Sequence, residues 1–193
     1  METLNQSNNI PYMSLLSNKK IELTKINSNT FKLVSLVENK NIYLEKIITF
    51  DLIRLCCKVN MDYFDIVELE ILNDNEAILF ILMKPLFKEL GLQSRYVNLK
   101  ITKKNDKSDV YFMCNKSNDF TNKTIQYKNA IQSPISSINI FCKLLNPHLI
   151  QFSETLSFDE PYDMNTIMEK IISHILKVIF KKTIKTIEQL NIK

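Results

Sequence analysis

One glycine, two alanines, two arginines and no tryptophan occur among 193 residues. The lone Gly91 excludes the most. Phosphate loops, dinucleotide fingerprints and glycine-rich kinase loops need positive φ and close backbone approach at several positions, and one glycine cannot build them. Histidine is nearly as scarce, with only His148 and His174. The four cysteines, Cys56, Cys57, Cys114 and Cys142, are irregularly spaced. They make neither a zinc pattern nor a secreted disulfide framework. No run approaches the roughly 18 to 20 uncharged apolar residues of a membrane span. Asp51, Arg54, Glu76, Lys84, Lys170 and Lys177 interrupt the candidates. No apolar block near the N-terminus has the form of a signal peptide. These absences predict an intracellular, cytoplasmic protein with no transmembrane segment and no cofactor.

Isoleucine, asparagine and lysine together make 70 of the 193 residues. All three have A/T-rich codons, so the composition predicts an AT-rich genome. A large DNA virus fits, in which case a virion or a viral factory is the expected location. Codon bias of this kind also makes the lysine excess and the asparagine runs poor guides to chemistry. With 45% apolar residues and a net charge of +4, the chain is long enough to bury a core and short for two domains. Charge alternates by segment: +3 over 1–60, −5 over 61–92, +5 over 93–130, −3 over 131–163 and +4 over 164–193. No single basic block of the sort that binds nucleic acid by itself is present.

Residues 1–20 read as a flexible leader and 21–193 as one α+β domain. Residues 31–37 (FKLVSLV) alternate and predict a strand. Leu44, Ile47, Ile48, Leu52, Leu55, Cys56 and Val59 recur at three and four, which predicts a helix throughout that stretch. Three hairpins follow: 65–72 with 77–83, 95–103 with 109–115 around Asn105-Asp106, and 136–144 with 148–158 around Asn146-Pro147. A helical turn stopped by Gly91 is expected over 85–90, and a short edge strand over 124–128. Thr166 and Glu169 have the spacing of a capping box. They open an amphipathic helix with an isoleucine stripe through Ile171, Ile175, Ile179, Ile184 and Ile187. Lys170, His174, Lys177 and Lys181 lie on its other face.

The predicted order is β-α-β6-α: an antiparallel sheet of about six to seven strands covered by a long C-terminal helix. It is similar to the helix-grip arrangement, in which a curved sheet wraps a long last helix. The likeness is one of topology.

Candidate chemistry is sparse. His148 and His174 have no His, Cys or carboxylate at ligand spacing and are expected to face solvent. Cys142 and His148 lie on opposite arms of the third hairpin, the minimum for a thiolate nucleophile. A buried core thiol is the simpler reading of Cys142. Asp159, Glu160 and Asp163 precede the last helix and read as solvated loop charges in preference to a magnesium site. No catalytic, cofactor-binding or metal-binding residue is assigned, and the chain is not expected to be an enzyme. Lys100, Lys103, Lys104 and Lys107 cluster near one hairpin tip, with Tyr96, Tyr111 and Phe112 nearby to stack on bases. Lys177, Lys181 and Lys185 lie on the last helix. These seven lysines are the candidate nucleic-acid contacts.

Three functions follow from this reading. The leading one is a non-catalytic structural or protein-interaction protein with an unidentified protein partner. The second is a helix-grip-type binder of a hydrophobic ligand held between sheet and helix. The third is a nucleic-acid accessory factor using the lysine faces.

Overall fold

The computed structural model describes residues 13–17, 21–85, 93–118, 130–159 and 166–191, with only the backbone described for 13–17 and 166–172. Strand β1 (Met13–Ser17) lies inside the segment expected to be a leader and pairs antiparallel with β2 (Ile21–Asn27). Sequence reading missed both. In β2 only Ile21 and Leu23 are fully buried, so its alternation is short. Strand β3 (Thr30–Glu38) matches expectation, with Phe31, Leu33, Ser35 and Val37 turned inward.

The helix expected from Leu44 to Val59 is broken. A single 3-10 turn (Leu44–Ile47) precedes α1 (Phe50–Val59). Thr49 has extended backbone between them, and its hydroxyl accepts from the Asp51 N–H at 3.1 Å. That N-cap starts a new helix where the apolar spacing alone runs on.

Strands β4 (Phe64–Asn73) and β5 (Glu76–Met83) form the first hairpin. Strands β6 (Arg95–Asp106) and β7 (Asp109–Lys116) form the second. Its turn lies at Lys107-Ser108, two residues beyond the expected place, because Asp106 and Asp109 still pair. Lys107 takes φ 55°, the left-handed angle that glycine would supply. Strand β8 (Ile131–Gln132) adds a short parallel pairing to β6. Strands β9 (Ile135–Asn146) and β10 (Leu149–Phe158) form the third hairpin, and α2 (Thr166–Gln189) ends the fold. The expected turn over 85–91, the strand over 124–128 and the side chains of the capping box lie outside the described residues.

The sheet order is β1-β2-β3-β10-β9-β7-β6-β5-β4, with β8 beside β6. It therefore has more strands than the six to seven expected. The long-range join is β10 against β3, in register from Leu149 opposite Glu38 to Ser157 opposite Thr30. Helix α2 packs on α1, β2 and β3. Among its described side chains Phe180, Ile184 and Ile187 are the buried apolar ones. Ring contacts tie the layers together: Phe180 to Phe152 of β10, and Phe50 of α1 to Phe112 of β7, each at 6.0 Å between centroids. A second apolar cluster lies on the opposite sheet face, where Phe80 is wholly buried and stacks with Tyr96.

Two asparagines contradict the reading of asparagine as compositional drift. Asn39 is buried, and its Nδ2 donates to the Ile187 and Leu190 carbonyls at 2.7 and 2.9 Å. Those carbonyls lie at the C-terminal end of α2, where backbone acceptors run short of intrahelical donors; the Ile187 carbonyl also accepts from the Leu190 N–H at 3.3 Å. Asn60 is buried too, and its Nδ2 donates to the Cys56 carbonyl at 2.8 Å and the Thr183 hydroxyl at 3.0 Å. Asn39 thus ties α2 to the end of β3, and Asn60 ties it to α1. Lys182 adds an ion pair to Asp62.

Candidate functional site

A cavity of about 210 Å³ lies between the inner sheet face and α2. The sheet supplies Leu79 and Ile81 from β5, Val97 and Leu99 from β6, and Ile138 and Ile140 from β9. Helix α1 supplies Leu52, Ile53, Cys56 and Cys57. Helix α2 closes it with Leu176, Ile179, Phe180 and Thr183. Strand alternation makes this wall: on each strand every second side chain points inward, and nearly all of those are apolar. Apolar side chains bordering this space lack packing partners on that side and so forgo dispersion contacts.

Glu154 breaks the pattern. On β10 the inward series is Ile150, Phe152, Glu154, Leu156, Phe158, with one acid among four apolar residues. Its cross-strand neighbours are Leu33 of β3 and Ile140 of β9. Glu154 lines the main cavity and a smaller one of about 10 Å³ beside it. The residue is half-buried, and its desolvation pushes the carboxyl up to about 8. No lysine, arginine or histidine is among the described residues lining either cavity. Sequence reading passed over Glu154. The signal was present as an acid in register with the apolar half of an alternating strand.

The thiols are not nucleophiles in this setting. Burial pushes Cys57 and Cys142 up to about 12, and raises Cys56 and Cys114 further. Cys142 is wholly buried and stands opposite Phe152 in the sheet. His148 sits at the β9–β10 turn and is occupied elsewhere. Its Nδ1 lies 2.8 Å from the Ile42 carbonyl and 3.1 Å from the Asn39 carbonyl, and its ring stacks on Tyr43. These bonds fasten the loop after β3 to that turn, so the expectation of a solvent-facing His148 is corrected. His174 is exposed. Asp159 pairs with Lys116 at 2.6 Å, while Glu160 and Asp163 lie outside the described residues. Among the described residues no cluster of His, Cys, Asp or Glu is arranged to hold a metal ion.

Of the seven candidate lysines, four lie on β6 and its turn to β7 and three on α2. Strand alternation puts Lys100 and Lys104 on the outer sheet face and Lys103 on the inner one. Lys100 pairs with Glu76 at 3.1 Å, and Lys103 lies 5.7 Å from the Phe50 ring centre. Lys107 is exposed in the turn. On α2, Lys181 and Lys185 are exposed and Lys177 is half-buried. Of the three aromatic candidates, Phe112 is wholly buried, Tyr96 stacks on Phe80 and Tyr111 stacks on Phe141.

Among the described residues no helix is long and apolar enough to cross a membrane. No known protein family matches the sequence, and no curated protein resembles it. Solved structures do match its fold. Human StAR-related lipid transfer protein 5 aligns over 95% of this chain and 89% of its own, at TM-score 0.68 and 8% identity. The lipid transfer and protein localization domain of human StarD13 aligns over 93% and 89%, at TM-score 0.67 and 11% identity. A StAR-related lipid transfer protein from Xanthomonas axonopodis aligns over 92% and 99%, at TM-score 0.64 and 9% identity. At such identities the likeness is one of fold, and it makes the arrangement a helix-grip.

Proposed function

We propose that this protein holds a small hydrophobic ligand in the cavity beneath α2, and does so without catalysis. The observation that carries this is the cavity itself: about 210 Å³, apolar on nearly every side, and closed by a helix. A well-packed domain of this size has no need of such a void, and filling it recovers dispersion contacts that the lining otherwise lacks. Proteins of the same fold that are named for lipid transfer support the reading. The absence of catalysis rests on the buried, protonated thiols and on the structural role of His148. The alternative of a structural or interaction protein has less behind it. The exposed large apolar residues, Leu36, Tyr43, Met61, Ile71 and Leu145 among them, come from separate elements, and singly exposed apolar residues are ordinary on a protein surface.

Size sets the ligand class. A cavity of about 150 Å³ takes up benzene, so 210 Å³ suits a molecule of roughly eight to ten non-hydrogen atoms. A whole lipid would require α2 to move. The test is thermal melting with n-propylbenzene, alongside organic extraction and native mass spectrometry of the purified protein. A ligand at 100 times its Kd adds about 2.7 kcal/mol of stability. An unchanged melting temperature at saturating n-propylbenzene, together with no co-purifying apolar molecule, rejects the proposal.

A further inference from the structure

Glu154 has no hydrogen-bond or ion-pair partner among the described residues, in a site whose described lining is otherwise mostly hydrocarbon. Its four nearest inward neighbours, Leu33, Ile140, Phe152 and Leu156, offer neither a donor nor a charge. Among the described residues the titratable groups that sense it are two thiols, Cys56 on α1 and Cys114 on β7. Burial raises both, which favours the neutral thiol. Asn60 is the one amide among the described residues of this wall. Both of its described side-chain bonds are donated, and its Oδ1 is a buried acceptor with no partner among the described residues. Among the described residues the wall therefore holds unmet polar oxygens and no cation.

A purely apolar ligand would fill the volume and leave the carboxyl as costly as before. A ligand with a carboxylate or phosphate would either share the single proton of Glu154 or, once that proton is lost, set two negative charges together in an apolar site. A basic nitrogen supplies both missing things, a hydrogen-bond donor and an opposite charge, in a medium where the pair interacts strongly.

We propose that the ligand is a small amphiphilic amine, its hydrocarbon body in the cavity and its ammonium group on the Glu154 carboxylate. This rests on the cavity being a ligand site. At neutral pH the empty site holds Glu154 mainly as the neutral acid. An amine arrives as its ammonium form. Pairing then leaves carboxylate against ammonium, and the proton once on Glu154 passes to the buffer. Binding near pH 7 accordingly releases about one proton per ligand.

The experiment compares three molecules of one shape: 2-phenylethylamine, 2-phenylethanol and n-propylbenzene. Affinities for the full chain and for Glu154→Gln are measured by calorimetry at pH 7, in two buffers of different ionisation enthalpy. The expected result is that the wild type binds the amine at least tenfold more tightly than the alcohol, with proton release for the amine alone. Glu154→Gln is expected to keep n-propylbenzene and lose the amine preference. Equal affinity for amine and alcohol, or no proton release on amine binding, overturns the inference. If n-propylbenzene still binds in that case, the cavity remains a ligand site. If none of the three binds, both readings fall. The proton count uses the wild-type protein, so the test stands even if Glu154→Gln does not fold.

Discussion

At the scale of single residues, Glu154 dominates the electrostatics. Its carboxyl titrates near 4.5 in an open chain and at about 8 in the fold. Between those values the folded state keeps a proton that the unfolded state has released. Stability is therefore greatest below the lower value and falls as pH rises through the window, by at most about 1.4 kcal/mol per pH unit. Thermal melts from pH 5 to pH 8 are expected to show this decline in the ligand-free wild type and to lose it in Glu154→Gln. A wild-type melting temperature that climbs or holds across the window contradicts the placement of Glu154. Lys107 offers an independent test of backbone strain. At φ 55° a residue with a Cβ is disfavoured by roughly 1 to 2 kcal/mol, partly offset by glycine's greater freedom in the unfolded chain. Lys107→Gly is expected to raise stability by about 0.5 to 1 kcal/mol in urea titration. The inward acid and the turn lysine were both readable as letters. Their meaning came from register, because a one-residue shift would have turned Glu154 to solvent and closed the turn elsewhere.

Among the elements, the hairpins were legible and the edges were not. Strands β4 to β7, β9 and β10 alternate over eight or more residues, long enough for period two to stand out. Strand β1 has five residues and β2 seven, too short for period two to stand out in an Asn- and Ser-rich stretch. Their pairing depends on β3 being in place beside them. The join between the 3-10 turn and α1 was hidden because the apolar spacing continues across Thr49, and only its extended backbone reveals the cap. Helix α2 was plain from its isoleucines, but its anchors were not. Asn39 and Asn60 are far from it in sequence and belong to a residue type inflated by composition. Asn39→Ala removes both donors from the carbonyls of Ile187 and Leu190. It is expected to cost about 2 to 3 kcal/mol, with faster hydrogen exchange in the last turn of α2. Loss of stability without that local effect would place the role of Asn39 elsewhere.

For the whole molecule, function turns on whether the space beneath α2 is filled. Leu176→Trp, on the helical wall of the cavity, is expected to occupy much of the void. It should abolish n-propylbenzene binding while leaving the melting temperature unchanged or higher. The chain has no other tryptophan, so the emission maximum of the new residue reports directly whether it is buried. A buried, blue-shifted tryptophan in a protein that still binds n-propylbenzene would move the site away from this cavity. Composition and periodicity by themselves determined the class of the protein: successive hairpins, a long amphipathic last helix, and no glycine-built phosphate site. Those features are local, carried by residues two, three or four apart. Tertiary structure alone decided that the sheet and helix leave an apolar space between them and that Glu154 borders it. Each of these depends on distances between strands and helices distant in sequence. An apolar pattern specifies which side chains turn inward, and it does not specify how far apart the opposing walls come to rest.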